Sequence, residues 1–187
     1  MITYHPLESG NIYHVYNRGN NREDLFRSED DFSLFMKLYA HHTDPIAVTY
    51  AFCLLPNHFH FLIAVREGPH RIEPSQAFSN LCNAYARRSN FQRQRCGALF
   101  QRPFGRRMVT SPTDIERLIV YIHRNPERHG LIHDYREWAY SSYHSISSPE
   151  SSATTPSPLI LAFGGEQRLR TAHLRAVEPG LDIQDFV

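Results

Sequence analysis

Lysine is nearly absent from this chain: of 20 basic residues only Lys37 is not an arginine. Acids are missing from a long window as well. No Asp or Glu lies between Glu73 and Asp114, while Arg87, Arg88, Arg93, Arg95, Arg102, Arg106 and Arg107 all do. The net charge of +1 therefore hides a strongly basic stretch. Cysteine is scarce: Cys53, Cys82 and Cys96 form no C-x-x-C pair, which argues against a disulfide framework or a cysteine zinc site and suits a reducing cytoplasm. No apolar run is long enough to span a bilayer, and Met1–Pro6 lacks the basic and apolar regions of a secretion signal. These absences leave a cytoplasmic protein as the expectation. With 41% hydrophobic residues in 187, the chain can form one domain with a sizeable core plus an appendage.

Arginine presents a planar fork that matches phosphate and stacks on bases. Tyr85, Phe91, Phe100 and Phe104 are interleaved with the arginines, a pattern that suits a single-stranded nucleic-acid surface. A solvated basic helix face is the plain alternative, and composition leaves both open.

Periodicity gives the element order. Residues 11–17 alternate as a strand, and Arg18-Gly19-Asn20-Asn21 reads as a turn. Ser28 opens a helix over about 29–42, with Phe32, Phe35, Met36 and Tyr39 on one side. Strands follow over 47–54 and 58–65, joined tightly by Leu55-Pro56-Asn57. A second helix is expected over 74–93, and a strand over 99–109 that Pro103 and Gly105 weaken. The order β-α-β-β-α-β predicts an α+β, ferredoxin-like antiparallel sheet with additional C-terminal helices. Ser111-Pro112-Thr113-Asp114 starts one of these, and Asn125-Pro126 is expected to end it. Residues 138–144 suggest another short helix. A catalytic domain over 1–146, a Ser/Thr/Pro-rich linker over 147–158 and a tail over 159–187 complete the division. The tail is expected to dock or regulate, for instance by folding over the open sheet face.

Within the third strand, His58-Phe59-His60 places two imidazoles on one face and Phe59, Phe61, Ile63 and Val65 on the other. Two imidazoles two residues apart on a strand can grip one metal ion, although such pairs also occur as plain surface histidines. On the later helix, Tyr121 and Asn125 lie four apart, on a flank beside the stripe Ile115, Ile119, Ile122. If that helix packs near the histidines, two imidazoles and an amide oxygen could hold a divalent ion, with a tyrosine hydroxyl near a bound phosphate. Such a group suits phosphodiester transfer, with Mg2+ or Mn2+ as the expected ion and zinc left open by the donor types.

Four segments then resemble a known family: residues 13–21 (YHVYNRGNN), 55–63 (LPNHFHFLI), 121–131 (YIHRNPERHGL) and 138–143 (WAYSSY). In this order they are similar to the single-tyrosine transposases of the His-hydrophobic-His superfamily, in particular the REP-associated tyrosine transposases. The resemblance implies a metal-dependent endonuclease or strand transferase acting on single-stranded DNA near hairpins of repeated extragenic palindromes, through a 5′-phosphotyrosine. It makes Tyr121 the nucleophile, and His58, His60 and Asn125 the metal ligands. Many relatives carry glutamine where this chain has Asn125. Arg18, Asn20, Arg87, Arg88, Arg102, Arg106 and Arg107 are the candidate DNA contacts, the last five because they belong to the basic stretch; Arg102, Arg106 and Arg107 are expected to face one groove. Tyr85 is the reserve nucleophile, and His14 is a candidate for orienting a histidine ligand or touching phosphate. The partner is single-stranded DNA with a hairpin, and the protein a monomer or homodimer. A non-catalytic hairpin-binding module and a metal hydrolase without a covalent step are the competing readings.

Overall fold

The computed structural model describes residues 6–144 and 164–174. Strand β1 (Ile12–Arg18) leads through a 3-10 turn (Asn20–Arg22) to helix α1 (Glu29–Thr43). Strands β2 (Ala47–Leu55) and β3 (His58–Val65) form a hairpin, followed by helix α2 (Pro74–Gln92) and the short strand β4 (Gly105–Met108). Helix α3 (Pro112–Arg128), a 3-10 turn (Tyr135–Glu137) and helix α4 (Glu166–Leu174) complete the described chain. The four strands run in the order β2-β3-β1-β4, with every neighbouring pair antiparallel. This is the ferredoxin-like α+β arrangement, with β1 and β3 in the centre.

Local chemistry starts the helices. Ser28 Oγ accepts from the Asp31 amide, and Glu29, Asp30 and Asp31 complement the positive end of α1. Ser111 does the same for α3 by accepting from Asp114, with Pro112 in the first turn, where its missing N–H costs nothing.

Alternation along the strands divides the core in two. Val15, Phe59, Phe61 and Ile63 are fully buried beneath α1 and α2, among Phe35, Phe78, Leu81 and Tyr85. Each such aromatic contributes roughly 2–3 kcal/mol of transfer free energy. Cys53, Leu55 and Leu62 point to the opposite face and pack against Leu118, Ile119 and Ile122 of α3. His58 and His60 share that second face with Leu62, so α3 lies over the same side of the sheet as both histidines.

Three expectations need correction. The strand expected over 99–109 pairs in the ladder only from Gly105 to Met108, because Pro103 has no N–H to donate; before it, Phe100 makes an isolated bridge to Gly19. Helix α3 does not stop at Asn125 but runs through Pro126 to Arg128. Pro126 forfeits one backbone bond, yet the His129 amide still donates to the Asn125 carbonyl at 3.0 Å, holding the final turn. Residues 138–143 form turns and a bridge rather than a helix. The Leu54 amide donates to the Tyr140 carbonyl, and the Ser142 amide to the Phe52 carbonyl. This segment covers the outer edge of β2, which would otherwise expose unpaired backbone.

Helix α4 packs on α3 through buried Leu169 and His173 and an Arg168–Glu116 ion pair. A polar chain runs beneath it. His173 Nδ1–H donates to the Leu169 carbonyl (2.8 Å), so His173 Nε2 accepts from His123 Nδ1–H (2.9 Å), and His123 Nε2 in turn accepts from the Ser142 hydroxyl (2.7 Å). Every member is satisfied in its neutral form. No residue of α4 lines the clefts described below. The expected linker, 147–158, lies outside the described residues. Among the described residues, no helix is long and apolar enough to cross a membrane.

Candidate active site

The antiparallel register sets up the site. Arg18 lies opposite His58, and Tyr16 opposite His60, so these four side chains share a face of the two central strands. Tyr121 of α3 closes over them, and His129, just past the end of α3, joins from the side. Together they bound a cleft of about 120 Å³.

His58 is buried, and its Nδ1 lies 2.6 Å from Asn57 Oδ1. The amide oxygen can only accept, so Nδ1 carries the proton and Nε2 keeps its lone pair. That Nε2 is buried with no hydrogen-bond partner among the described residues. His60 shares a proton with His14, Nδ1 to Nε2 at 2.9 Å, which leaves His60 Nε2 as its remaining nitrogen. Burial pushes the His58 pKa down to about 3, aided by His129 and Arg18, while the Asn125 side chain partly opposes the shift. Burial and the neighbouring His14 hold His60 well below the ordinary imidazole range. Burial first, then Arg18 and Arg128, also lowers His129. Near neutrality these imidazoles are uncharged, the form that ligates a metal.

Asn125 is 1% exposed. Its Nδ2 makes a long bond to the Tyr121 carbonyl at 3.5 Å, and its Oδ1 is buried without a hydrogen-bond partner among the described residues. Two orphaned acceptors, one imidazole nitrogen and one amide oxygen, are unusual in a core, and each costs about 1–3 kcal/mol unless something fills it. They are the donor types that a divalent ion takes, so the residues fit such an ion. No three His, Cys, Asp or Glu side chains among the described residues are grouped to hold one, so a third protein donor has to be the amide. Without a carboxylate in the group, an ion there would rely on a ligand phosphate for charge balance.

Tyr121 is 3% exposed, with its ring nearly perpendicular to that of His60 (centroids 5.7 Å apart) and the Arg128 guanidinium over it at 5.2 Å. Tyr85 is core: fully buried, its hydroxyl donates to the Leu25 carbonyl at 2.7 Å, and burial raises its pKa.

The expected DNA contacts separate into groups. Arg18 lines the cleft, and Asn20 sits in the adjoining 3-10 turn, its amide bonded to the Leu99 carbonyl. Arg87 and Arg88 are exposed on α2 and make no ion pair among the described residues. Arg102 and Arg106 line a second groove with Arg87. Arg107 does not share that groove: it pairs opposite His14, whereas Arg106 pairs opposite Val15, so the two point to opposite faces of the sheet. Arg93 and Arg95 are not available for phosphate, because tertiary contacts supply the acids missing nearby in sequence: Arg93 pairs with Asp31 and Arg95 with Glu23. Of the four interleaved aromatics, Tyr85, Phe100 and Phe104 are buried and only Phe91 is exposed.

Sequence reasoning assigned no role to His129 or Asn57. His129 continues the spacing of Tyr121 and Asn125 by another four residues, and its ring centroid lies 4.8 Å from that of His58. That continuation was the available signal. Asn57 directly precedes the ligand pair, but only the turn geometry reveals its bond to His58.

The site thus belongs to an α+β domain with paired histidines on a central strand and a tyrosine-bearing helix above them. No family model matches the chain. A protein of Haemophilus influenzae named as a REP-associated tyrosine transposase is 28% identical over 105 residues, covering 51% of this chain and 58% of the relative's length. The structure of a REP-associated tyrosine transposase bound to a REP hairpin has the same fold, with a TM-score of 0.64 at 18% identity, over 80% of this chain and 87% of that one. The resemblance read from the four sequence segments therefore recurs in both comparisons.

Proposed function

We propose that this protein cleaves and transfers single-stranded DNA beside a hairpin of a repeated palindrome, with Tyr121 as nucleophile. The observation that carries this reading is the packing of α3 on the histidine face, which gathers Tyr121, His58 and His60 around one cleft and brings the buried Asn125 side chain against His58. The hairpin complex of the structural neighbour and the name of the curated relative support the substrate class.

The Tyr121 hydroxyl attacks the scissile phosphorus, and the bond from phosphorus to the 3′ oxygen breaks. The departing oxygen takes up a proton as a 3′-hydroxyl, and the 5′ phosphate stays on the tyrosine, so the phosphodiester energy is conserved for rejoining. His58, His60 and Asn125 would hold Mg2+ or Mn2+, which would polarise a phosphoryl oxygen and offset charge in the transition state. Asn57 fixes the His58 tautomer, and His14 restrains the His60 ring. Arg128 over the Tyr121 ring and Arg18 at the cleft edge supply positive charge to the phosphate and to the forming phenolate.

The test is a covalent-adduct assay: labelled hairpin DNA with single-stranded flanks, protein, and Mn2+ or Mg2+, resolved on a denaturing gel. A shifted, metal-dependent band that disappears in Tyr121→Phe is expected. Cutting that survives Tyr121→Phe would instead indicate a hydrolase without a covalent step. The absence of a three-residue His/Cys/Asp/Glu group among the described residues favours a second reading, a hairpin-binding module without turnover. Tight, salt-sensitive binding with no adduct from any hairpin would establish it.

A further inference from the structure

The cleft is not isolated. Asn17, Gln101 and Pro103 line both it and a groove of about 980 Å³ on the other side of the 99–104 segment. The two spaces meet where β4 stops: the ladder ends at Gly105, and the chain before it leaves the sheet. On one wall of the groove, Gln76, Ser79, Asn83, Arg87 and Asn90 follow one another at three- and four-residue intervals along α2. This is a single polar stripe, opposite the face that buries Phe78, Leu81 and Tyr85. Arg102 and Arg106 stand on the other wall, with the Arg106 guanidinium 4.7 Å above the Phe104 ring. Glu73 is the one acid among the described lining residues.

We propose that this groove holds the single-stranded DNA that continues from the scissile phosphate. It would pass from the cleft over Gln101 and Pro103 and lie along the α2 stripe. The inference rests on the proposed reaction at Tyr121 and adds the path of the strand and the residues that read it. Arg87, Arg102 and Arg106 contact phosphates. Asn83 is the base-reading residue: its Oδ1 accepts from Arg102 at 3.2 Å, which aims its Nδ2 donors at a base edge. Asn90 is committed to the fold, bonded to the Gly97 carbonyl and to Arg95, and reads nothing. A groove that combines arginines with amide side chains, rather than arginines alone, predicts some sequence preference in the flank.

The experiment compares fluorescence anisotropy of the full chain on one hairpin stem with and without a flank of about six nucleotides, within the site size of typical single-strand binders. In the wild type the flank tightens binding. In the exposed pair Asn83→Ala/Arg87→Ala that gain falls by about 10-fold or more, whereas binding of the bare hairpin changes by less than about 2-fold. Changing flank bases should alter wild-type affinity and leave Asn83→Ala indifferent. Equal weakening on both substrates would overturn the proposal, since the arginines would then be a general phosphate field. An unchanged flank gain would overturn it too. If the wild type bound neither DNA, the nucleic-acid reading itself would fall, an outcome distinct from the other two.

Discussion

Asn125→Leu offers a sharp test of the two orphaned acceptors, because it should stabilise the protein while abolishing its response to metal. Leucine shares asparagine's branched shape and side-chain heavy-atom count but brings no oxygen to leave unpaired. The buried Oδ1 costs about 1–3 kcal/mol. Among the described residues, the losses are the long bond from Nδ2 to the Tyr121 carbonyl and the side chain's interaction with His58. Leucine also has the higher helix propensity, by a few tenths of a kcal/mol. A net gain of about 1–2 kcal/mol in EDTA follows, or roughly 3–6 °C in melting temperature for a chain of this size. Added Mn2+ should then raise the wild-type melting temperature, since an ion bound only by the folded state at a hundred times its Kd contributes about 2.7 kcal/mol. Asn125→Leu should show little of that rise. Thermal melts of both proteins across a Mn2+ titration, starting from EDTA, read both effects. A variant that melts below the wild type in EDTA, or that keeps the full Mn2+ response, would refute the assignment of Asn125 Oδ1 as an acceptor waiting for a ligand.

Two further outcomes are expected. Burial lowers the His173 pKa from 6.5 to about 4, so the unfolded chain binds more protons than the folded one between those values; the helix α4 contact contributes in full above about pH 6.5 and loses about 3 kcal/mol by pH 4. Protection factors of the α4 amides, with exchange rates corrected for their intrinsic pH dependence, should fall as pH drops across that window in the wild type and stay flat in His173→Leu, and pH-independent protection in the wild type would contradict the neutral His173–His123–Ser142 chain. Gly105→Ala should destabilise by about 1–3 kcal/mol and distort the cleft, because a Cβ there would collide with the Tyr16 ring on the facing strand; a wild-type melting temperature would show that Tyr16 yields freely.

How far the sequence revealed this molecule depended on the range of the interactions involved. The sheet was legible because period-two alternation is local: the split of His58 and His60 from Phe59 and Phe61 follows from the pleat alone, and the pairing order then follows from topology. Charge was not legible in the same way. The acid-free window from Glu73 to Asp114 suggested a uniform phosphate surface, yet Asp31 and Glu23, more than sixty residues away, neutralise Arg93 and Arg95. The assignment of Arg106 and Arg107 to one groove failed against the same alternation that located the histidines, since adjacent strand residues face opposite ways. The end of α3 was misjudged because a proline close to a helix terminus sacrifices only one bond, and there the continuing chain can still satisfy the last carbonyls.

The helix that runs on past Pro126 also explains why the site was only half visible in the sequence. Had α3 stopped at Asn125, the side chain of that residue would belong to a turn, and His129 would have no defined relation to His58. One further helical turn places Tyr121, Asn125 and His129 in a single file, each four residues from the last, along the flank that meets β3. The file crosses from the buried tyrosine to the exposed histidine, so its two ends differ in access to solvent. A strand entering the cleft would meet His129 and Arg18 first and Tyr121 last. The short end of β4 leaves the opposite side open at Gln101 and Pro103, which gives that strand a way out. On the proposed path, entry and exit would both depend on where secondary structure stops, one turn late at α3 and several residues early at β4.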